Sequence, residues 1–163
     1  ELKLRTMELQ DLQAVSALGA RSKASWGYGA EEMRIFAEEL AITPGRLASL
    51  AHAWVIEDGS QIVGYFTLCR DSRGAPELEH LFVAPERFGK GIGSSMLNQA
   101  LQLCRGMGST ELKVIADPNS VGFYAKFGAK VVGEHQSSIA GRAIPVLVIP
   151  VGETAESAGD GSP

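Results

Sequence analysis

A chain of 163 residues has room for one hydrophobic core and hardly for two. Its net charge of −4 excludes the basic footprint of a nucleic-acid-binding protein, and no apolar run approaches the roughly 20 residues of a membrane span. The two cysteines, Cys69 and Cys104, stand far apart in no ligand spacing, which argues for reduced thiols and against a disulfide framework or a metal site.

Residues 2–6 alternate like a short strand, with Thr6 as the expected cap of the first helix. From Glu8 to about Ala20, Leu9, Leu12, Val15 and Leu18 recur at helical spacing. Gly27 and Gly29 break that pattern. A second helix carries Met33, Phe36, Ala37 and Leu40 on one stripe, and a short third one starts with Thr43 as cap and Pro44 at its first position. The period then changes to two. Residues 53–69 read as two strands joined at Asp58-Gly59, a strong hairpin signal, and 77–83 as a third strand closed by Pro85. Residues 91–106 come next as a helix with Ile92, Met96, Leu97, Ala100, Leu101 and Cys104 on one side. A strand before Asp117, a short helix stopped by Gly128, and late strands over 129–135 and 144–150 complete the order. This predicts an α+β fold with a mixed central sheet flanked by helices, as one domain over residues 1–151. The tail 152–163 lacks large apolar residues and is expected to be disordered.

Gly89, Gly91 and Gly93 sit two apart between a strand and a helix. A Walker loop fails because Lys90 precedes Gly91 with no Lys-Ser/Thr pair after it. A dinucleotide fingerprint fails because Ser94 stands where its third glycine belongs. What remains is a glycine-rich turn at a helix start, either a plain connection or a cradle in which the amides of about Lys90 to Ser94 face an anion such as a pyrophosphate.

The stretch LFVAPERFGKGIGSSML (81–97) resembles the acetyl-CoA-binding motif of the GNAT N-acetyltransferase superfamily, a strand and Pro followed by Arg/Gln-x-x-Gly-x-Gly/Ala. Gly91 and Gly93 take the small positions; the Arg/Gln position falls on Phe88, with Arg87 one residue early. ADPNSVGFYAKFGAKVVGE (116–134) is similar to the family's second signature. The resemblance implies a GNAT fold with splayed strands, acetyl-CoA (CoA) as cosubstrate, and no metal. Leu81, Phe82 and Val83 would bind the pantetheine arm, Arg87 to Ser94 (Arg87, Phe88, Gly89, Lys90, Gly91, Ile92, Gly93, Ser94) the pyrophosphate, and Asn119 the cofactor arm. It further implies Tyr124 as general acid and, among Glu77, Glu79 and His80, a base for which Glu79 is preferred, acting directly or through water.

The loops that cover the acceptor in this superfamily correspond to residues 23–32 and 135–145. Trp26 and Tyr28 would line an apolar or cation-stabilising pocket or else cap the core, and Ser137, Ser138 and Arg142 would supply polar contacts, Arg142 suiting a carboxylate-bearing acceptor. The expected activity is acetyl transfer from acetyl-CoA to a primary amine, a small molecule before a protein N-terminus or lysine. A CoA-binding sensor without catalysis and a non-enzymatic nucleotide-binding protein are the alternatives. The expected location is cytoplasmic, without nucleic-acid or membrane partners, and a homodimer is compatible with the family.

Overall fold

A computed structural model describes residues 1–137, 139 and 141–152. Ser138 and the expected tail beyond Gly152 lie outside the described residues. Seven strands form one mixed sheet in the order β1-β2-β3-β4-β5-β7-β6: β1 (Leu2–Thr6), β2 (His52–Asp58), β3 (Gln61–Arg70), β4 (Pro76–Val83), β5 (Glu111–Ile115), β6 (Lys130–Gln136) and β7 (Ala143–Pro150). Among the described residues five α-helices accompany them: α1 (Leu12–Ala24), α2 (Ala30–Leu40), α3 (Pro44–Ser49), α4 (Ile92–Gly106) and α5 (Val121–Ala125). No helix among the described residues is long and apolar enough to cross a membrane. The chain forms two compact units, residues 1–69 with 79–98, and residues 70–78 with those from 99 onward.

In the first unit β1 and β3 flank β2, both antiparallel to it, with Leu4 opposite Ile56 and Val55 opposite Tyr65. The hairpin turns at Gly59, whose φ of 65° is the left-handed value that such turns require. Gly64 is needed for a different reason: a β-carbon there would lie 3.0 Å from both Ile56 and Met96. Met7, Leu12, Val15, Leu18, Ile42, Val55, Tyr65 and Ala84 make one buried cluster, with Phe82 packed against it. The first helix starts later than its apolar spacing suggests. A 3-10 turn, Leu9–Asp11, precedes it, and Leu9 stays exposed. Asp11 closes a capping box at this start: its carboxylate accepts the Glu8 N–H at 2.7 Å and takes the Arg5 guanidinium at 2.8 and 3.0 Å. Thr6 remains in β1 opposite Trp54 instead of capping. Thr43 does cap α3, accepting the Arg46 N–H at 3.1 Å with Pro44 at the next position.

In the second unit β5 runs parallel to the start of β4 through Glu77↔Lys113 and Leu78↔Val114, and antiparallel to β7 with Lys113 opposite Val148. The β4–β5 ladder holds those two pairs, so Leu81, Phe82 and Val83 lie outside it. The Lys113 ammonium sits 2.8 Å from Asp71 and 3.3 Å from Glu77. Its hydrogen bond, ahead of two backbone N–H donors, holds the Asp71 carboxyl down at about 2. Asp117 caps a 3-10 turn, Pro118–Ser120, that leads into α5, and Gly128 at φ 85° ends the segment.

Asp11 is buried while bonded to a cation and a backbone amide, so removing it takes the acceptor from the Glu8 N–H and leaves the Arg5 guanidinium with only Glu57, Glu8 and the Thr6 carbonyl. Asp11→Ala is expected to lower the unfolding free energy by about 2–4 kcal/mol in urea titrations at pH 7.

Candidate functional site

The turn between β4 and α4 belongs wholly to the first unit. Ala84 is buried and its N–H reaches the Val63 carbonyl at 2.9 Å, which fixes the end of the strand. Arg87 and Phe88 then close one short turn onto Ala84 and Pro85. Gly89 and Gly91 adopt φ of 76° and 81°, and a β-carbon at either would meet nothing within 4 Å. Among the described residues, no amide from Gly89 to Ser94 donates to another residue. The first helical bond runs from Ser95 N–H to the Gly91 carbonyl at 3.0 Å. Ile92 is buried and anchors the helix beneath the turn, while Gly89, Lys90 and Gly91 are exposed and Gly93 and Ser94 half-buried. The result is a row of bare donors at the positive end of a helix of 15 residues, with open space in front of it. Phe88, at the motif's departure, is 44% exposed, and the Arg87 guanidinium pairs with Asp58 at 3.0 Å.

Glu79 and His80 stand next to each other on β4 and therefore face opposite ways. His80 is buried and Glu79 half-buried. The Arg46 guanidinium from α3 lies on Glu79 Oε2, and His80 Nε2 is 3.9 Å from Glu79 Oε1. On its other side, His80 Nδ1 is 3.1 Å from the Tyr65 hydroxyl, and the His80 backbone N–H donates to Thr67 Oγ1 at 3.1 Å. Burial pushes the His80 imidazole down to about 4, with the Arg46 and Lys23 charges acting in the same direction and Glu79 opposing. Burial likewise drives the Tyr65 phenol well above its ordinary 10. Both groups are neutral at pH 7. Leu81, Phe82 and Val83 are half-buried, and the Phe82 ring lies 5.8 Å from both Tyr65 and His80.

The loop between α1 and α2 holds Trp26 and Tyr28. Trp26 is 43% exposed, whereas Tyr28 packs edge-on against Phe36 at 4.9 Å. The Lys23 ammonium lies 4.5 Å from the Phe36 ring centre and 5.7 Å from that of Tyr28, so this pair of rings already carries a cation.

In the second unit Tyr124 is buried on α5, with the Phe123 ring at 5.1 Å, and burial raises its phenol above the ordinary range. Asn119 donates through its backbone and its side chain to Asp117 Oδ1, at 2.8 and 2.9 Å. Arg142 approaches Asp117 Oδ2 at 3.6 Å. One carboxylate thus gathers two residues that the sequence offers for separate contacts. Asp117, Arg46 and Tyr65 are absent from the sequence expectations. Tyr65 left a trace, a hydroxyl inside the apolar run IVGYFTLC, but Arg46 and Asp117 left none that spacing exposes. Among the described residues no group of three or more His, Cys, Asp or Glu is placed to hold a metal ion.

Comparison with known proteins adds an independent line. Residues 28–145 match the family model for an acetyltransferase (GNAT) domain. The chain is 32% identical over 98 residues to the peptidyl-lysine N-acetyltransferase YjaB of Salmonella typhimurium, a match covering 60% of this chain and 63% of that relative. Among solved structures, a GCN5-related N-acetyltransferase from Rhodopseudomonas palustris superposes with a TM-score of 0.77 at 21% identity, over 91% of this chain and 94% of the other. The PaiA N-acetyltransferase of Thermoplasma acidophilum in complex with coenzyme A gives 0.74 at 20%, over 92% and 99%. At these identities the two structures speak for the fold.

The buried His80 makes stability depend on pH. An unfolded chain binds the proton near 6.5 and the folded one only near 4, so the His80 contribution is complete above pH 6.5 and is lost as pH falls through that window. Urea unfolding at pH 7 and 4.5 is expected to show His80→Gln losing about 2–3 kcal/mol less than the wild type between the two.

Proposed function

Because this chain belongs to the GNAT acetyltransferase family, we propose that it transfers the acetyl group of acetyl-CoA to a primary amine by direct attack in a ternary complex. The observation that carries this reading is the unpartnered row of amides from Gly89 to Ser94, opened by two left-handed glycines at the start of α4. A pyrophosphate fits there, because it asks for several N–H donors and a positive helix end and tolerates no β-carbon in its path. Those amides would hold the diphosphate, Lys90 would add charge, and the edge of β4 at Leu81, Phe82 and Val83 would take the pantetheine arm as an added strand. Phe88 supplies no polar contact, and Arg87 reaches the phosphates only by exchanging Asp58 for them. Asn119 retains its family role on the cofactor arm as part of this proposal.

Acetyl-CoA supplies an activated thioester; the rest of the chemistry concerns protons. The acceptor arrives as an ammonium and attacks only after losing one, and Glu79 is the carboxylate proposed to take it, directly or through a water. The C–N bond then forms as the C–S bond breaks, the sulfur leaves with negative charge, and the proton still on the new amide nitrogen passes to the departing thiolate, giving the neutral amide and free CoA thiol. Tyr124 meets that charge as a hydrogen-bond donor: its phenol, raised by burial, still carries its proton at the pH where a thiolate with a reference value near 8.5 begins to form.

For the acceptor, a small-molecule amine is the first reading, resting on the exposed Trp26 of the loop between α1 and α2, since the Tyr28–Phe36 pair already carries Lys23. A peptide lysine is the second reading, favoured by the name of the Salmonella relative. Arg142, already turned to Asp117, binds an acceptor carboxylate only by sharing that partner.

Thiol release from acetyl-CoA, measured against a panel of small amines and lysine peptides, tests the proposal and divides the two readings. CoA binding without amine-dependent thiol release would instead establish a sensor. Gly91→Val places a β-branched residue at φ 81° and is expected to weaken CoA binding about tenfold or more by calorimetry. Tyr124→Phe is expected to lower kcat about tenfold or more while CoA affinity is unchanged; unaltered turnover removes Tyr124 from the mechanism.

A further inference from the structure

Beyond the glycine turn, buried polar groups of the first unit converge on His80, and the reaction as proposed gives that residue no task. We infer that Tyr65 and His80 are positioning residues for Glu79: the Tyr65 hydroxyl donates to His80 Nδ1, which places the ring proton on Nε2, directed at the Glu79 carboxylate. The inference rests on the acetyl-transfer reading with Glu79 as proton acceptor.

The direction of the Tyr65–His80 bond is set by its surroundings. A neutral imidazole has one N–H and one bare nitrogen. If Nδ1 carried the proton, the bare Nε2 lone pair would face Glu79 Oε1 at 3.9 Å, and the Tyr65 hydroxyl proton would lack an acceptor among the described residues. The reverse arrangement satisfies the phenol and turns an N–H dipole toward the carboxylate. At 3.9 Å that contact is an electrostatic one and not a hydrogen bond. Glu79 is therefore addressed on both oxygens, by Arg46 at Oε2 and by the imidazole edge at Oε1, which selects one carboxylate orientation.

The groups facing His80 are Glu79 on β4, Tyr65 and Thr67 on β3, Arg46 on α3 and Lys23 on α1. Two cations and burial keep the ring uncharged, and burial keeps the phenol protonated. Neither Tyr65 nor His80 exchanges a proton, and Glu79 alone receives the one from the ammonium. Helix α1 makes room for this arrangement. A β-carbon at Gly19 would stand 2.5 Å from the Tyr65 oxygen, so the helix is notched at the point where the hydroxyl lies.

Three variants test the inference: Tyr65→Phe, His80→Leu and His80→Gln. In Tyr65→Phe and His80→Leu, kcat should fall about fivefold or more and the acid limb of kcat/KM should move to higher pH, with CoA affinity unchanged. His80→Gln retains a carbonyl for Tyr65 and an amide for Glu79, and should recover most of the loss. Nitrogen NMR should show His80 protonated at Nε2 in the wild type and as a mixture of tautomers in Tyr65→Phe. If His80→Leu does not fold, Tyr65→Phe, which removes one oxygen, decides. Wild-type turnover and pH profile in Tyr65→Phe overturn the positioning role and leave acetyl transfer standing. A wild type that binds CoA yet releases no thiol to any amine overturns both.

Discussion

The chain reverses from a strand into a helix at Gly89 and Gly91, and those two left-handed residues are the constraint on which the proposed chemistry depends. A residue with a β-carbon strains at such φ values, so a chain without glycine there would round the corner differently and direct its first amides elsewhere. Both ends of the corner are fixed. Ala84 is tied to Val63 on β3, and Ile92 is buried under the first turn of α4. The amides from Gly89 to Ser94 have no partner among the described residues, and the field of fifteen aligned peptide units adds to their pull on an anion.

The strand that feeds this corner does a second job through its alternation. Leu78 and His80 point to buried positions while Glu77 and Glu79 do not, so a titratable ring and a carboxylate become neighbours with opposite environments. Glu77 is absorbed by Lys113 in the second unit, which leaves Glu79 as the carboxylate of β4 attached to the Arg46 and His80 network. Paired charges thus hold the framework of each unit, and in the first the carboxylate proposed for proton transfer stands between the Arg46 guanidinium and the neutral, buried His80.

Most of the element order was legible in the sequence because local chemistry sets it. Asp58-Gly59, Thr43-Pro44 and Gly128 each act within a few residues, and each appears in the structure as a turn, a cap or a stop. The alternation of β4 was equally plain. Apolar spacing places the start of the first helix near Glu8, where the structure has a capped 3-10 turn, Leu9–Asp11, leading into α1 and leaving Leu9 exposed. As proposed, the candidate site is legible where a short motif marks it, at 81–94 and 119–124. It was illegible where partners meet across long separations: Arg46 with Glu79, Tyr65 with His80, Arg142 with Asp117. Side chains so far apart along the chain announce their meeting by no periodicity.

The notch at Gly19 ties two distant positions into one inherited unit. A lineage that acquires alanine at 19 while keeping tyrosine at 65 must push the ring or the helix aside, whereas one that has first exchanged tyrosine for phenylalanine frees the space that the oxygen held. The order of substitutions therefore matters, and drift at either place is permitted or blocked by the state of the other.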